Sequence, residues 1–586
     1  SGSQVETKRY NFDSCTNSSG LDSNKIYILG PSEYLNIAED LFSGVDHSSL
    51  ALLLNGLPFV PDTFDGNLEF KDDLNFVTNR EPIIAYFSNK LLDFVRSTCE
   101  SLNTDCRKEI LNSNISNIYR REVSGVEIQE ILNATADLSF DSFIQFIFYH
   151  PDFHLKIYPN ELTPDAFVAK VAMTLFGSFP PPELKAKRME VFNDPDKLKI
   201  ELLKLLKDPK NVRRFSRRFW SKWLPVDRLA SIALPANSDF DKLKALDDFF
   251  SIIEDGIVSG KNLKNLFFEG YEVEGLPKSL ISHPSFALAT SRVVNGELKT
   301  HYVQRGINIA SKLLCLGLPP LDPATMEELE EAKADSVGLS FAEAIEQHRR
   351  NPNCSSCHSI IDPIGVTMEH LGPFGEYRDK FIDGSPIFSQ GEFLNKPYSN
   401  FSSLVEIIAD SGELRSCFLE QFEGLANVPE SAQFGTCDAR EIFSADEDLP
   451  VIDIITQMLV SPRFLKKSIL PEEVKLKFLS GIVGDMYQIG LGRQASIEEV
   501  EHWSLQYRKR GLQFVVKGVL LSAEMNSLNL TPQEYVRRAF KILAGYSLGE
   551  QNLDNQVQQY NSLGRELYLE GLLSEDEIKK RISILE

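Results

Sequence analysis

The segment HRRNPNCSSCHSIIDPIGVTMEHLGPFGEYR, residues 348–378, carries the most specific pattern in this 586-residue chain. At its centre, Cys354 and Cys357 enclose two serines, and His358 follows at once. In a CxxCH segment, two thiols can add across the vinyl groups of a haem, and the histidine can bind the iron. The same residues could instead form a redox-active pair, a small disulfide loop or half of a zinc site.

The surroundings of the motif favour covalent haem c over these alternatives. A zinc site needs a second ligand pair, but the other cysteines are dispersed and the whole chain has nine histidines. A thioredoxin-like CxxC lies between a strand and a helix, which the flanking sequence does not suggest. We therefore predict one haem, attached at Cys354 and Cys357, with His358 as the proximal iron ligand. A backbone carbonyl of the following Ile361-Asp-Pro-Ile-Gly365 stretch is expected to hold the other ring nitrogen of His358. A redox or disulfide role ranks second and zinc third.

Three side chains are candidates for the opposite face of the haem. Met368 and His370 follow the motif closely, and His283 lies in the earlier segment SLISHPSF. A thioether ligand such as Met368 would raise the reduction potential and a second imidazole would lower it, while an open or water-filled site is the remaining alternative. Arg378 is the candidate partner of the haem propionates, since buried carboxylates need charged partners. A solvated arginine is the alternative.

The charge balance limits the partners. There are 61 basic and 84 acidic residues, a formal net charge of −23. Such a chain repels nucleic acid and anionic membranes, so we expect no nucleic acid and a protein partner with a basic face. No apolar run approaches the roughly 20 residues of a membrane-spanning helix. The polar start SGSQVETKRYNFDSCTNSSG resembles either the mature end of an exported protein or an edge left by truncation.

The apolar pattern predicts a mainly α-helical fold. Apolar residues recur at helical spacing in several stretches, and Pro- or Gly-rich breakers separate them. The basic and aromatic stretch 210–226 is expected to pack its aromatic face inward rather than to bind nucleic acid. Residues 481–507 and 534–564 share a pattern of apolar helix, small turn and second helix, which suggests a weak internal repeat. The clearest helical stretches are 139–153, 165–177 and 196–209.

The ordered motifs around CSSCH resemble a known family. They match the haem module of the planctomycete-type multi-module cytochrome c-like exported proteins, whose role is largely unsettled. The departures are Met368, where the family often has Phe or Leu, and Leu371-Gly372, where it has an aromatic residue and Asp. The matching motifs are His348-Arg349, Asn351-Pro352, Cys354-Ser-Ser-Cys357-His358, Asp362-Pro363-Ile364-Gly365, Glu369-His370 and Gly375-Glu376-Tyr377-Arg378.

The resemblance extends over about residues 25–465 and implies a modular chain. It implies several helical modules around one cytochrome c-like haem module, with few short strands. The C-terminal tail lies outside it and is similar to short helical repeats of other exported proteins. The expected segments are an N-terminal extension (1–24), three helical modules (25–98, 99–160 and 161–300), the haem c module (301–445), a closing helix (446–470) and the tail (471–586).

Eight cysteines, an even number, are compatible with disulfides in an exported protein. Cys99 and Cys106 enclose a polar loop and are expected to pair. The family resemblance implies a pair between Cys417 and Cys437, and elimination leaves Cys15 with Cys315. Reduced buried cysteines are the alternative.

The function that follows is an exported, periplasmic c-type cytochrome acting in electron transfer with a redox partner protein. Two other functions stay open. One haem in so long a chain is also compatible with a scaffold protein that binds partners or the cell envelope, in which the haem has a structural role. An open distal site would instead fit a peroxidase-like haem enzyme. No GxGxxG, P-loop, GxSxG or HExxH motif points to another enzyme class.

Overall fold

A computed structural model of the chain has a mainly α-helical architecture, which confirms the predicted fold class. The 15-residue helix Pro209–Trp223, for example, turns Phe215, Phe219, Trp220 and Trp223 into a core, each at most 1% exposed. The structure describes residues 27–57, 68–69, 76–99, 101–156, 163–236, 238–268, 271–294, 296–317, 343, 345, 352–381, 383–426, 442–443, 448–461, 464, 479, 481–544, 548, 550–575 and 578.

The described residues divide into two compact units. The first unit contains Asp194–Ala426 and Ala432–Phe464, and with them the CxxCH segment. The second contains Gly20–Asn193 and Leu465–Glu586, so it joins residues from both ends of the chain in one unit. The boundaries of the seven predicted segments stay a prediction.

The N-terminal part of the second unit is built from helices with conventional polar caps. The side chains of Ser124, Ser139 and Thr163 each accept a hydrogen bond from a backbone N–H in the first turn of their helix, which satisfies a donor that the helix itself leaves unpaired. The helices are Pro31–Leu41, Ser48–Gly56, Phe76–Thr98, Thr104–Ile118, Gly125–Ala134, Phe140–Tyr149, Pro151–His154, Pro164–Phe176, Pro182–Ala186 and Arg188–Asn193.

The C-terminal tail shares a hydrophobic core with these N-terminal helices. This core contains Phe87, Phe143 and Ile147 from the early helices and Tyr535, Phe540 and other residues from the tail. An ion pair of 2.6 Å between Lys541 Nζ and Glu81 Oε2 also joins the two parts. The helices of the tail are Ile497–Arg510, Leu512–Leu520, Ala523–Ser527, Pro532–Ala544 and Glu550–Ser574, preceded by the π-helical segment Met486–Leu491.

In both segments of the predicted repeat, 481–507 and 534–564, a helical stretch, a turn and a second helix follow one another. Gly511 has φ +79° and ψ 174°, and Gly564 has φ +78° and ψ 167°, and each joins two helical stretches. The residues at the fourth, fifth, eighth and ninth positions after each glycine are buried. They are Val515, Val516, Val519 and Leu520 in the first copy and Tyr568, Leu569, Leu572 and Leu573 in the second.

The first unit surrounds an aromatic core. Rings of Phe219, Trp220 and Trp223 pack against Phe267 and Phe418 from two later helices. The helices of this unit are Pro195–Leu206, Pro209–Trp223, Lys242–Val258, Leu263–Phe268, Pro284–Ala289, Tyr302–Ile307, Pro352–Thr367, Phe401–Ala409, Gly412–Leu425 and Val451–Leu459, with 3₁₀ turns at Pro225–Ser231, Leu280–Ser282 and Met368–His370 and a π-helical segment at Asn308–Leu313.

The strands are short, and in the described residues they form only two-stranded antiparallel sheets. The longest pair is a hairpin in which Ser291 faces Thr300. The pairs are Tyr27–Ile28 with Leu68–Glu69, Ser291–Val294 with Glu297–Thr300, and Gly391–Phe393 with Lys396–Tyr398.

The disulfides confirm one predicted pair and correct the others. Cys99 is bonded to Cys106, as predicted. Cys417 is bonded to Cys315, which overturns both the Cys417–Cys437 and the Cys15–Cys315 pairings. The reason is packing: helix Gly412–Leu425 lies against the segment Asn308–Leu313, which brings the two Cα atoms to 5.3 Å. Cys15 and Cys437 lie outside the described residues.

No helix in the described part of the chain combines the length and the apolar character needed to cross a membrane.

Candidate functional site

The CxxCH motif lies in the first two turns of a single helix, Pro352–Thr367, which we call the CxxCH helix. Proline suits the first position of a helix because its missing N–H would be unpaired there anyway. Residues three apart share one face of a helix, so positions 354 and 357 lie on the same side. His358 follows in the same turn.

The imidazole of His358 is held by a carboxylate. Its Nδ1 lies 2.7 Å from Oδ1 of Asp362, one helical turn further on. His358 is 9% exposed and Asp362 is fully buried. We predicted a backbone carbonyl in this role, and that prediction is wrong. The i, i+4 spacing within one helix places the Asp362 side chain beside the ring, whereas carbonyls inside a helix point along its axis.

The CxxCH helix is positioned by a close crossing with helix Tyr302–Ile307. A Cβ atom at Gly365 would lie 2.1 Å from the carbonyl oxygen of Tyr302, and one at Gly306 would lie 2.2 Å from that of Ile361. Only glycine allows the two backbones to approach so closely. The crossing therefore fixes the position of His358 relative to the preceding helix.

A buried arginine secures the turn after the CxxCH helix. Arg305, on the crossing helix, is fully buried and donates from Nη1 to the carbonyl of Met368 at 2.7 Å and to that of Leu371. Burial lowers the pKa of Arg305 to about 10, against the opposing effect of nearby Glu369. Met368 itself is completely buried. The turn that carries two of the predicted site residues, Met368 and His370, is thus anchored by its backbone.

Glu369 lies between two arginines. Its carboxylate is 3.6 Å from Nη1 of Arg305 and forms an ion pair with Arg378. Thr300, at the end of the neighbouring hairpin, donates to the same carboxylate at 2.6 Å. Arg378, predicted to bind the haem propionates, also donates to the carbonyl of Glu369 at 2.6 Å. In the structure its guanidinium therefore binds Glu369 of its own loop and the hydroxyl of Thr300 in the hairpin.

The rings of His370 and Tyr377, which lie near the two ends of a tight loop, stack on each other. Their ring centroids are 5.7 Å apart and the planes differ by 2°. The Nδ1 of His370 lies 2.9 Å from the carbonyl oxygen of Arg378. A carbonyl only accepts, so Nδ1 carries the hydrogen, and in a neutral ring Nε2 keeps its lone pair.

His283 has the opposite arrangement. It precedes the helix Pro284–Ala289, and its Nδ1 accepts from the backbone N–H of Ser285 at 3.1 Å. The hydrogen of the neutral ring is therefore on Nε2, which is buried without a hydrogen-bond partner. The ring packs against Phe249 and Tyr271, and burial lowers the pKa of His283 to about 4.

The structure brings several predicted residues together. Met368, His370 and Arg378 belong to one loop, and the His283 segment reaches that loop through Pro284, which packs on Gly375. Asp362, Arg305 and Glu369 were not predicted as site residues. For Asp362 alone, the sequence contained an indication. Asp362 follows His358 by four residues, and residues four apart lie on the same face of a helix. Nothing in the sequence links Arg305 to Glu369.

No described group of three or more His, Cys, Asp and Glu side chains is arranged to bind a metal ion. The side chains of Cys354 and Cys357 lie outside the described part.

Residues 279–381 match a family described as PSCyt3, a protein of unknown function (DUF1588), a cytochrome-like domain family of planctomycetes. The match covers less than a fifth of the chain. It contains the CxxCH helix, the crossing helix, His283 and the loop around Glu369. Comparisons with curated proteins and with solved structures find no match.

Proposed function

We propose that this chain is an exported c-type cytochrome that binds one covalent haem through Cys354, Cys357 and His358 and acts in electron transfer. The observation that carries the proposal is the state of His358. The residue directly after a helical CxxC is buried, and its Nδ1 is bound to the buried carboxylate of Asp362. Metal-binding histidines usually have their second ring nitrogen held in this way, which orients Nε2 toward the metal.

The residues fit the group chemically. Cys354 and Cys357 would form the two thioether bonds, and His358 would bind the iron through Nε2. A haem c held here would supply a one-electron redox centre. The protein contributes orientation: the Gly306–Gly365 crossing sets the helix, and Asp362 sets the imidazole.

The hydrogen-bond pattern favours His370 over His283 as a sixth ligand. With Nδ1–H bonded to a carbonyl, His370 presents the lone pair of Nε2, the form that binds metals. His283 would first have to give up its bond from Ser285 and change tautomer. Met368 is the remaining candidate, and its complete burial suits a thioether inside the fold.

Export and electron transfer have supporting features of their own. Two disulfides fit an oxidising compartment such as the periplasm. The net charge of −23 suits a redox partner with a basic docking face, and that association should weaken as the salt concentration rises.

The experiment that tests haem binding compares three proteins produced with the cytochrome c maturation machinery. Acid–acetone extraction should leave the haem absorbance on the wild-type polypeptide, because thioether bonds survive it. His358→Ala should lose the wild-type iron coordination spectrum. His502→Ala, at an exposed histidine of the tail, is the matched control and should keep it. A wild-type protein that releases all its colour into the solvent would overturn the proposal.

A second experiment separates a carrier from a haem enzyme. Cyanide or peroxide is added to the oxidised protein, and the Soret band is followed. A carrier with its sixth position filled should respond slowly or not at all while still exchanging electrons with a small cytochrome. A fast, saturable shift with peroxide turnover would favour the enzyme. A haem protein that does neither would favour the scaffold.

A further inference from the structure

We infer that Asp362 is a positioning residue that gives the His358 ligand anionic character and thereby lowers the reduction potential of the centre. This rests on the proposed function, because it presupposes that His358 binds haem iron. The inference concerns how this chain tunes the site, rather than whether the site exists.

The first step is the hydrogen bond itself. The Nδ1–Oδ1 distance of 2.7 Å lies in the range of charge-assisted N–H···O⁻ bonds, which are roughly twice as strong as neutral ones. A carboxylate accepts only, so the hydrogen is on Nδ1 of His358 and Nε2 is left as the metal-binding atom. The bond therefore selects the ring form that binds iron.

The second step is rigidity. His358 and Asp362 lie four residues apart in one helix, and Asp362 is fully buried. The helix is pinned at Gly365 against the backbone of Tyr302, three residues beyond Asp362. The burial of Asp362 and the fixed position of the helix therefore keep the carboxylate beside the ring, away from solvent.

The third step is electrostatic. A carboxylate carries a full negative charge, whereas a backbone carbonyl offers only a dipole, so the carboxylate draws the Nδ1 hydrogen more strongly and makes Nε2 a better electron donor. Oxidised haem iron has one more positive charge than reduced iron. A negative charge held behind its ligand, away from solvent screening, stabilises the oxidised form more than the reduced form.

The two arginines of the site, Arg305 and Arg378, pair with a different carboxylate, that of Glu369. Arg305 and Arg378 direct their guanidinium groups to Glu369 and to carbonyls of the Met368–Gly372 stretch. Their positive charge thus secures the loop around Glu369.

The test is a redox titration of the haem-loaded full chain with Asp362→Asn. Asparagine keeps the size of the side chain and can still accept from Nδ1, but it removes the charge. We expect the variant to hold its haem and to show, at a fixed ambient potential, an about tenfold higher ratio of reduced to oxidised protein. Tenfold corresponds to a shift of about 59 mV for one electron.

The matched control is Asp379→Asn, which removes a carboxylate that is exposed to solvent in the same part of the chain. The midpoint potential of this control should stay close to that of the wild type. Asp362→Glu keeps the charge, so its midpoint potential should be closer to the wild-type value than that of Asp362→Asn. Equal shifts in Asp362→Asn and Asp379→Asn, or no shift in Asp362→Asn, would overturn the inference.

A measurement on the unmodified protein covers the case in which Asp362→Asn does not fold. The electron paramagnetic resonance spectrum of the oxidised wild type reports the donor strength of the axial imidazole. Values typical of an imidazole with strong anionic character support the inference, and values typical of a neutral imidazole overturn it. A wild-type protein without covalent haem overturns the proposed function itself, whereas a haem protein with an unshifted Asp362→Asn potential overturns only the role of Asp362.

Discussion

Gly365 of the CxxCH helix lies directly against the carbonyl group of Tyr302, so close that a single added methyl carbon would come within 2.1 Å of the oxygen. The reciprocal contact, Gly306 against the carbonyl of Ile361, repeats the arrangement one turn away. The two helices therefore touch backbone to backbone, and the position of His358 depends on that contact.

Replacing Gly365 by alanine should lower the free energy of unfolding of the first unit by about 1–3 kcal/mol, since overpacking against a rigid backbone forces the helices apart. The measurement is urea unfolding followed by far-UV circular dichroism. Gly412→Ala is the control, because a Cβ atom there meets nothing within 4 Å, and its effect should stay within about 0.5 kcal/mol. Equal stability of the two variants would mean that the helices do not cross in this way.

The Cys315–Cys417 disulfide predicts a specific peptide map. Digestion without reduction should yield one peptide pair that joins these cysteines and another that joins Cys99 to Cys106. A peptide pair that links Cys417 to Cys437 would contradict the structure.

The two disulfides should also differ in their contribution to stability. Removing the Cys315–Cys417 pair opens a loop with a sequence separation of 102 and should cost about 5 kcal/mol, against about 2 kcal/mol for the Cys99–Cys106 pair with a separation of 7. Thermal unfolding of the two double-alanine variants checks the order. A larger loss of stability in the variant without the Cys99–Cys106 disulfide would contradict this prediction.

Lys170 predicts a pH dependence of the second unit. This side chain is 3% exposed, and burial lowers its pKa to about 7 from 10.5. Between these two pH values the unfolded chain binds more protons than the folded one, so the free energy of unfolding rises with pH across this window. Below pH 7 the destabilisation caused by burying the charged Lys170 is complete. We expect a gain of about 3 kcal/mol between pH 7 and pH 10.

The matching variant is Lys170→Met, which keeps the length of the side chain and removes its charge. Urea unfolding at a series of pH values should show a flatter profile for the variant than for the wild type. Parallel profiles would show that Lys170 does not titrate in this range.

The equivalent glycines of the tail repeat should be equally intolerant of substitution. Gly511 and Gly564 combine φ near +79° with extended ψ, a region that is essentially restricted to glycine, so alanine at either position should cost about 1–3 kcal/mol. Gly571→Ala is the control: it is helical, meets nothing within 4 Å and should be neutral or stabilising. Thermal melting of the three variants tests this, and a Gly564→Ala protein as stable as Gly571→Ala would refute the repeat geometry.

Local features of this protein follow from local sequence. The helical character, the inward aromatic face of helix Pro209–Trp223 and the short Cys99–Cys106 loop all depend on residues within a few turns of one another. The weak repeat was visible as a pattern of helix and turn, and the two matching glycine conformations give it a structural basis. The CxxCH motif and its histidine were likewise evident from five adjacent residues.

Tertiary structure decided the contacts between distant segments. The partner of Cys417 depends on how helix Gly412–Leu425 packs, so the family resemblance and the elimination both predicted the wrong pairs. Arg305 and Glu369 are 64 positions apart and meet because helix Tyr302–Ile307, which crosses the CxxCH helix at two glycines, also contacts the turn Met368–His370. The Nδ1 of His283 caps the helix Pro284–Ala289, a role that the sequence did not predict. The sequence alone determined which chemical groups are present and their local conformation. Long-range packing, which chooses among many pairings of similar energy, decided which groups meet.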